Sequence, residues 1–144
     1  SQKVSSSHKQ TTPWNSQKDD QLESFINQWA PTMSQAYTKY NGKIALKTKL
    51  DVKYPKNFAQ AKVNGSTSAS IGWAPSGKGK YDYNVVAVYN YNQPKDLGRT
   101  TYAFAFHEGK PVVLINQTME GPDNWTVAKD TTLKSRFVEI VNGK

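Results

Sequence analysis

The sequence predicts a single α+β domain: a kinked N-terminal helix packed on a mainly antiparallel sheet of about four to six strands, with a short C-terminal helix. Three observations carry the prediction. Apolar residues recur at three- and four-residue steps after Ser16, at two-residue steps from Ile44 onward, and again at helical steps from Leu133 to Val141. A chain of 144 residues suits one domain with its own core, and neither an internal repeat nor a second domain is visible.

Residues 1–13, SQKVSSSHKQTTP, hold too little apolar surface to order themselves and read as a flexible leader or linker, leaving 14–144 as the domain. From Ser16 to about Asn41, the residues Leu22, Phe25, Ile26, Trp29, Met33, Ala36, Tyr37 and Tyr40 make one apolar helical face. Ser16 is the expected N-cap, with Asp19 and Asp20 at the positive end of the helix dipole. Pro31 supplies no amide and must kink or split the element.

Between Ile44 and Tyr54 the period changes to two. Ile44, Leu46, Leu50, Val52 and Tyr54 fall on one side of a strand; Lys43, Lys47, Lys49, Asp51 and Lys53 fall on the other. Ala69, Ile71 and Trp73 predict a short strand. KYDYNVVAVYNYN, residues 80–92, predicts a long one, apolar on both faces at Val85–Val88 and therefore central. TYAFAFHEGKPVVLINQ, residues 101–117, reads as a hairpin: Tyr102, Phe104 and Phe106 alternate with small residues, and Gly109 and Pro111 flank the reversal. Trp125 and Val127 predict a last strand. Leu133, Phe137, Ile140 and Val141 form the closing helix behind Asp130 or Thr131 as cap.

Composition narrows the chemistry. With no cysteine, there is no disulfide, thiol nucleophile or thiolate metal site, and His107 is the sole histidine of the domain. A Ser-His-Asp triad or a two-histidine metal centre does not fit, and no residue suggests a metal or cofactor. His107 and Glu108 stand at the expected hairpin tip and, being adjacent on a strand, point apart rather than toward one reacting atom. GWAPSGKG places Gly72, Gly77 and Lys78 at phosphate-loop spacing, but Gly79 replaces the Ser or Thr needed for magnesium and a strand follows instead of a helix. Asn64, Asn116 and Asn124 begin glycosylation-type tripeptides that an Asn/Ser/Thr-rich chain produces by chance. MEGPDNW reads as turn chemistry, without calcium-loop spacing.

The surface says more. Net charge is +8, and residues 39–62 concentrate it, with seven lysines against Asp51. Lys43, Lys47, Lys49 and Lys53 form a candidate polyanion contact; the plainer reading is a charged face that keeps an edge strand from pairing. Nucleic acid is disfavoured, since lysines outnumber arginines 17 to 2 and no recognition motif is present. Trp73, Tyr83, Tyr89 and Tyr91 form a second candidate, aromatic faces that would stack on a ligand, against the plainer reading of core packing.

PWNSQKDDQLESFINQWAPTMSQAY, together with YNY, FAFHEGKPVVLINQ and LKSRFVEIV, resembles domain of unknown function 4767 from lipoproteins of lactic-acid and related Gram-positive bacteria, across residues 13–141. The resemblance implies a signal peptide, a lipidated cysteine and a tether ahead of Ser1, so that the protein would meet the membrane only through a removed N-terminal anchor. It carries no catalytic assignment. The resulting expectation is an extracytoplasmic, non-catalytic binding module of a cell-surface lipoprotein, contacting anionic wall polymer or a small ligand. The alternative is a carboxylate-only hydrolase of an envelope glycan, drawing on Asp51, Asp82, Glu108, Glu120 and Asp123.

Overall fold

A computed structural model describes residues 11–144; of the expected leader, residues 1–10 lie outside the described residues. Helix α1 spans Ser16–Trp29. Its cap is Asn15 rather than Ser16: Asn15 has extended dihedrals, and its Oδ1 accepts from Lys18 N at 2.9 Å. Pro31 splits the expected element. A 3-10 turn, Ala30–Met33, ends with Ser34 at φ 57°, and Tyr37 and Tyr40 then flank strand β1, Thr38–Lys39, outside any helix.

The long run Ile44–Tyr54 is a hairpin, not one strand. β2 (Leu46–Lys47) and β3 (Lys53–Tyr54) pair antiparallel, Leu46 opposite Tyr54 and Lys47 opposite Lys53. Thr48 Oγ1 accepts from the amides of Leu50 and Val52, and Asp51 takes φ 64°, which closes the turn. Alternate residues keep their face through this register, so the two-residue period cannot distinguish a hairpin from a continuous strand. Ile44, expected inside, lies in the preceding loop and is 74% exposed.

A 3-10 segment, Lys56–Gln60, leads into β4 (Lys62–Val63), followed by β5 (Ile71–Trp73), β6 (Tyr83–Asn92), β7 (Arg99–His107), β8 (Lys110–Asn116) and β9 (Asn124–Val127). Helix α2, Thr131–Val141, follows with Asp130 as its cap. The main sheet has seven strands in the order β1-β6-β7-β8-β9-β4, with β5 also paired to β6. Pairing is antiparallel except for β5 with β6 and β4 with β9. The architecture is the predicted α+β domain, and the strands beyond the expected number are two-residue edges too short to leave a period.

Both sheet faces are covered. On one, α1 and α2 bury Leu22, Ile26, Trp29 and Phe137 against Tyr102, Phe104 and Phe106. On the other, the β2–β3 hairpin and the 3-10 segment bring Tyr54 and Phe58 onto Ala103, Ala105 and Trp125. The contrast along β7 between aromatic and alanine positions therefore marks two buried faces rather than one inside and one outside. Large rings of the covering layer fill the volume that the alanines leave. No helix of the described residues is long and apolar enough to cross a membrane.

Candidate functional site: a cleft in the sheet edge

The strongest surface feature arises from how β6 is paired along one edge. β5 runs parallel to it over Tyr83–Val85 and ends as Ala74 N donates to Val85 O at 2.9 Å. β1 runs antiparallel over Tyr89–Asn90 and ends as Tyr40 N donates to Val88 O at 2.9 Å. The two short strands thus approach head-on and stop, leaving Val86 and Ala87 without a strand neighbour on that side. A β-bulge falls at this break, where the β6–β7 register shifts between Val85 and Ala87. The carboxyl ends of both strands, the residues before α1 and the loop at Pro75–Ser76 surround a cleft of about 510 Å³. That size and position suit a small-molecule site.

Its chemistry comes from elements distant in sequence. Trp14 N donates to Ser76 O at 3.1 Å, and Trp14 Nε1 donates to Asp19 Oδ1 at 3.1 Å, which docks the entry to α1. Lys39 Nζ lies 2.5 Å from Asp19 Oδ2 and 3.4 Å from Glu23 Oε1. Burial works against the Lys39 charge, but the hydrogen bonds and charges of Asp19 and Glu23 outweigh it and raise its pKa above the ordinary value. Beneath them Tyr89, opposite Lys39 in register, has a buried hydroxyl with no partner among the described residues. Burial raises its pKa, and the carboxylates of Asp19 and Glu23 raise it further. The Tyr40 and Trp73 rings, which also line the cleft, meet edge to face, 4.8 Å apart at 75°. Asn15 and Asn41 also line it.

Of the predicted aromatics, the structure brings only Trp73 to this cleft. Tyr83 does not share the face of Tyr89 and Tyr91: the bulge at Val86 inserts one residue and reverses the alternation, so Tyr83 packs on the hairpin side and Tyr89 on the helix side. Tyr91, on the same side as Tyr89, meets Tyr37 with centroids 5.7 Å apart. The lysines are also divided. Lys47 and Lys53 stand opposite one another, and Lys47 lies 3.6 Å from Asp51. Lys49 reaches back to the carbonyls of Gln93 and Lys95, while Lys43 lies in the loop that Asn41 organises.

His107 and Glu108 are turn residues. Glu108 (φ 52°) and Gly109 (φ 79°) form the two-residue reversal between His107 and Lys110, as a type I′ turn requires. His107 is stacked on Tyr83 at 4.1 Å and 5°, with Nδ1 2.8 Å from Asp82 O. Its Nε2 nevertheless comes within 4.0 Å of the Glu108 carboxylate, closer than opposite strand faces alone would bring it. Gly77, the apparent phosphate-loop glycine, has φ +85°, and a Cβ there would lie 2.7 Å from Pro13 Cγ, so this glycine seats the start of the domain.

Asp82 and Asp123 have separate structural employments, and Glu120 is exposed. Asp82 Oδ2 accepts from Ser70 N and Oγ; those hydrogen bonds, the backbone one foremost, hold its pKa below the usual value. Asp123 is buried under the sheet against Arg99, Nη2 to Oδ1 at 2.7 Å, and its other oxygen accepts from Tyr54 Oη. No cluster of three or more His, Asp or Glu able to hold a metal occurs among the described residues.

Sequence reasoning missed the Asp19–Lys39–Glu23 group, because its members are brought together only when β1 pairs with β6. It also passed over Arg99, for which a signal existed: arginine is rare beside lysine in this chain, 2 against 17, and an arginine flanked by strand residues marks a demand for fixed, multiple hydrogen bonding.

Fold and cleft define a single α+β domain with two covered sheet faces and a polar, aromatic-lined break in one sheet edge. The chain belongs to the family described as Domain of unknown function (DUF4767), whose model matches residues 11–141. No match was found among curated proteins or among solved structures.

Proposed function

We propose that the protein is a non-catalytic binding module of a cell-surface lipoprotein, held outside the membrane by an N-terminal anchor and contacting cell-envelope material through the sheet-edge cleft. The observation that carries this reading is the cleft itself, about 510 Å³ lined by the Tyr40–Trp73 pair, the amides of Asn15 and Asn41 and the Asp19–Lys39 ion pair. The hydrolase alternative needs open space between two carboxylates for the scissile bond. At Asp19 and Glu23 that space is taken by the Lys39 ammonium, which contacts both. Lys47 and Lys53, side by side on the exposed hairpin, supply a separate basic surface suited to anionic wall polymer.

Purified cell envelopes test the proposal. The protein should co-sediment with them and release no reducing ends. Cleavage products above those of a heat-inactivated control would establish the hydrolase, and failure to co-sediment would remove the binding module. The anchor is tested by fatty-acid labelling of the full-length chain in its native cell.

A further inference from the structure

We infer that the cleft takes a neutral saccharide ring, stacked on Trp73 and hydrogen-bonded by the side-chain amides of Asn15 and Asn41. The inference rests on the binding-module reading and names its ligand class.

Charge comes first. The protein carries +8 overall, yet the charged residues lining the cleft are one cation, Lys39, and one carboxylate, Asp19, and the Lys39 ammonium is engaged by Asp19 and also contacts Glu23. A phosphate or carboxylate ligand would have to compete with the carboxylates of Asp19 and Glu23 for that single ammonium, whereas the β2–β3 hairpin carries the exposed Lys53 beside Lys47, whose one ionic partner is the exposed Asp51. The cleft therefore selects against the anionic polymers that the hairpin would attract.

Hydrogen-bonding capacity comes next. Asn15 Oδ1 is held by Lys18 N at 2.9 Å, and Asn41 Oδ1 by Lys43 N at 2.8 Å and Ile44 N at 2.9 Å. These bonds assign the oxygens and fix both amide planes. The two Nδ2 groups are left as oriented donors with no partner among the described residues, at the lining of one cleft. Donors held in place by the fold lose little freedom when a ligand arrives. They call for acceptor oxygens on a neutral, oxygen-rich molecule.

The aromatic wall supplies the third requirement. Trp73 is only partly buried, while Tyr40 braces it edge to face. A partly exposed indole braced by a second ring is a platform for an apolar ring face, and a pyranose presents such a C–H face beside its hydroxyls. Trp14 is not the platform, being almost wholly buried between Phe106 and Phe137.

Two substitutions separate this role from folding. Asn15→Asp and Asn41→Asp keep the oxygen that caps α1 or organises the loop, and exchange the Nδ2 donor for a charged acceptor oxygen. Amide and indole NMR shifts of the full protein are followed during titration with two neutral probes, tetra-N-acetylchitotetraose and maltotetraose, and with a glycerol-phosphate oligomer of similar length. At least one neutral probe should shift the Trp73 Nε1 and Asn41 Nδ2 signals, with little dependence on salt. Each Asp variant should weaken that binding by about tenfold or more, as should Trp73→Ala, while oligophosphate binding stays within about twofold. The saccharide assignment is overturned if neither neutral probe moves these signals at millimolar concentration, or if the Asp variants bind as well as the parent. Should the cleft signals then move with the oligophosphate, or envelope co-sedimentation still depend on Trp73, the ligand class is wrong and the binding module stands. Silence of the cleft toward every probe together with lost co-sedimentation overturns both.

Discussion

Replacing Asp123 with Asn removes the only carboxylate among the described residues that faces the fully buried guanidinium of Arg99. The Arg99 side chain is 0% exposed and that of Asp123 is 2% exposed. Arg99 gives Nε to Thr118 O at 3.1 Å, Nη1 to Tyr54 Oη at 3.0 Å and Thr101 Oγ1 at 2.8 Å, and Nη2 to Asp123. Every contact except that to Asp123 is to a neutral group, so Asn leaves a buried, uncompensated cation, a change that costs about 3–5 kcal/mol. It also disturbs the bond from Tyr54 Oη to Asp123 Oδ2, whose loss alone would cost about 1–3 kcal/mol. The midpoint of thermal unfolding should fall by roughly 10–15 °C for a domain of this size. Urea titration supplies the assay, with a lower midpoint at unchanged slope. Arg99→Met combined with Asp123→Leu should recover much of the loss, because no charge is then left buried; the double-mutant cycle isolates the pair. A cost below about 1 kcal/mol for Asp123→Asn would mean that water or another anion reaches Arg99, and the account of a dry ionic network under the sheet would fall.

The hairpin turn predicts a split result in urea titrations. Glu108→Asn should be neutral or stabilising, since Asn tolerates positive φ, whereas His107→Asn should cost about 0.5–1.5 kcal/mol through the lost stack on Tyr83. Equal effects would show that the stack contributes nothing. Because the pKa of Lys39 is raised in the folded protein, its contribution to stability is fully present below the ordinary lysine value and is lost as pH rises through the folded one. Asp19→Asn should lower that pKa, read from the Lys39 side-chain NMR signal in an alkaline titration, and an unmoved midpoint would remove Asp19 as its partner. Lys47→Gln with Lys53→Gln should weaken retention on anionic wall polymer at low salt and leave cleft binding unchanged. Equal retention of parent and variant would reduce the hairpin to a solubilising surface.

Periodicity and turn chemistry determined much of this molecule without reference to its fold. The helical steps of Leu22, Ile26 and Trp29, the alternation of Tyr102, Phe104 and Phe106, and the glycine of the β7–β8 reversal are local signals, because each reflects a repeat of the backbone itself. Those signals were sufficient for the α+β class; β6, expected to be central, is buried on both faces but lies second in the sheet order, with only the short β1 and β5 outside it. They failed where two structures share one period, as in the β2–β3 hairpin, and where a single inserted residue reversed the phase, as at the Val86 bulge that parts Tyr83 from Tyr89. The cleft belongs wholly to the tertiary structure. Lys39 meets Asp19, and Tyr40 meets Trp73, because β1 and β5 end head-on along the same edge of β6, and that edge is defined by pairing between segments some 50 and 12 residues apart. Arg99 and Asp123 likewise become an ion pair only when the layers close over them. Short-range patterns record which way a side chain faces; which distant side chain it will find there is decided by strand pairing and packing.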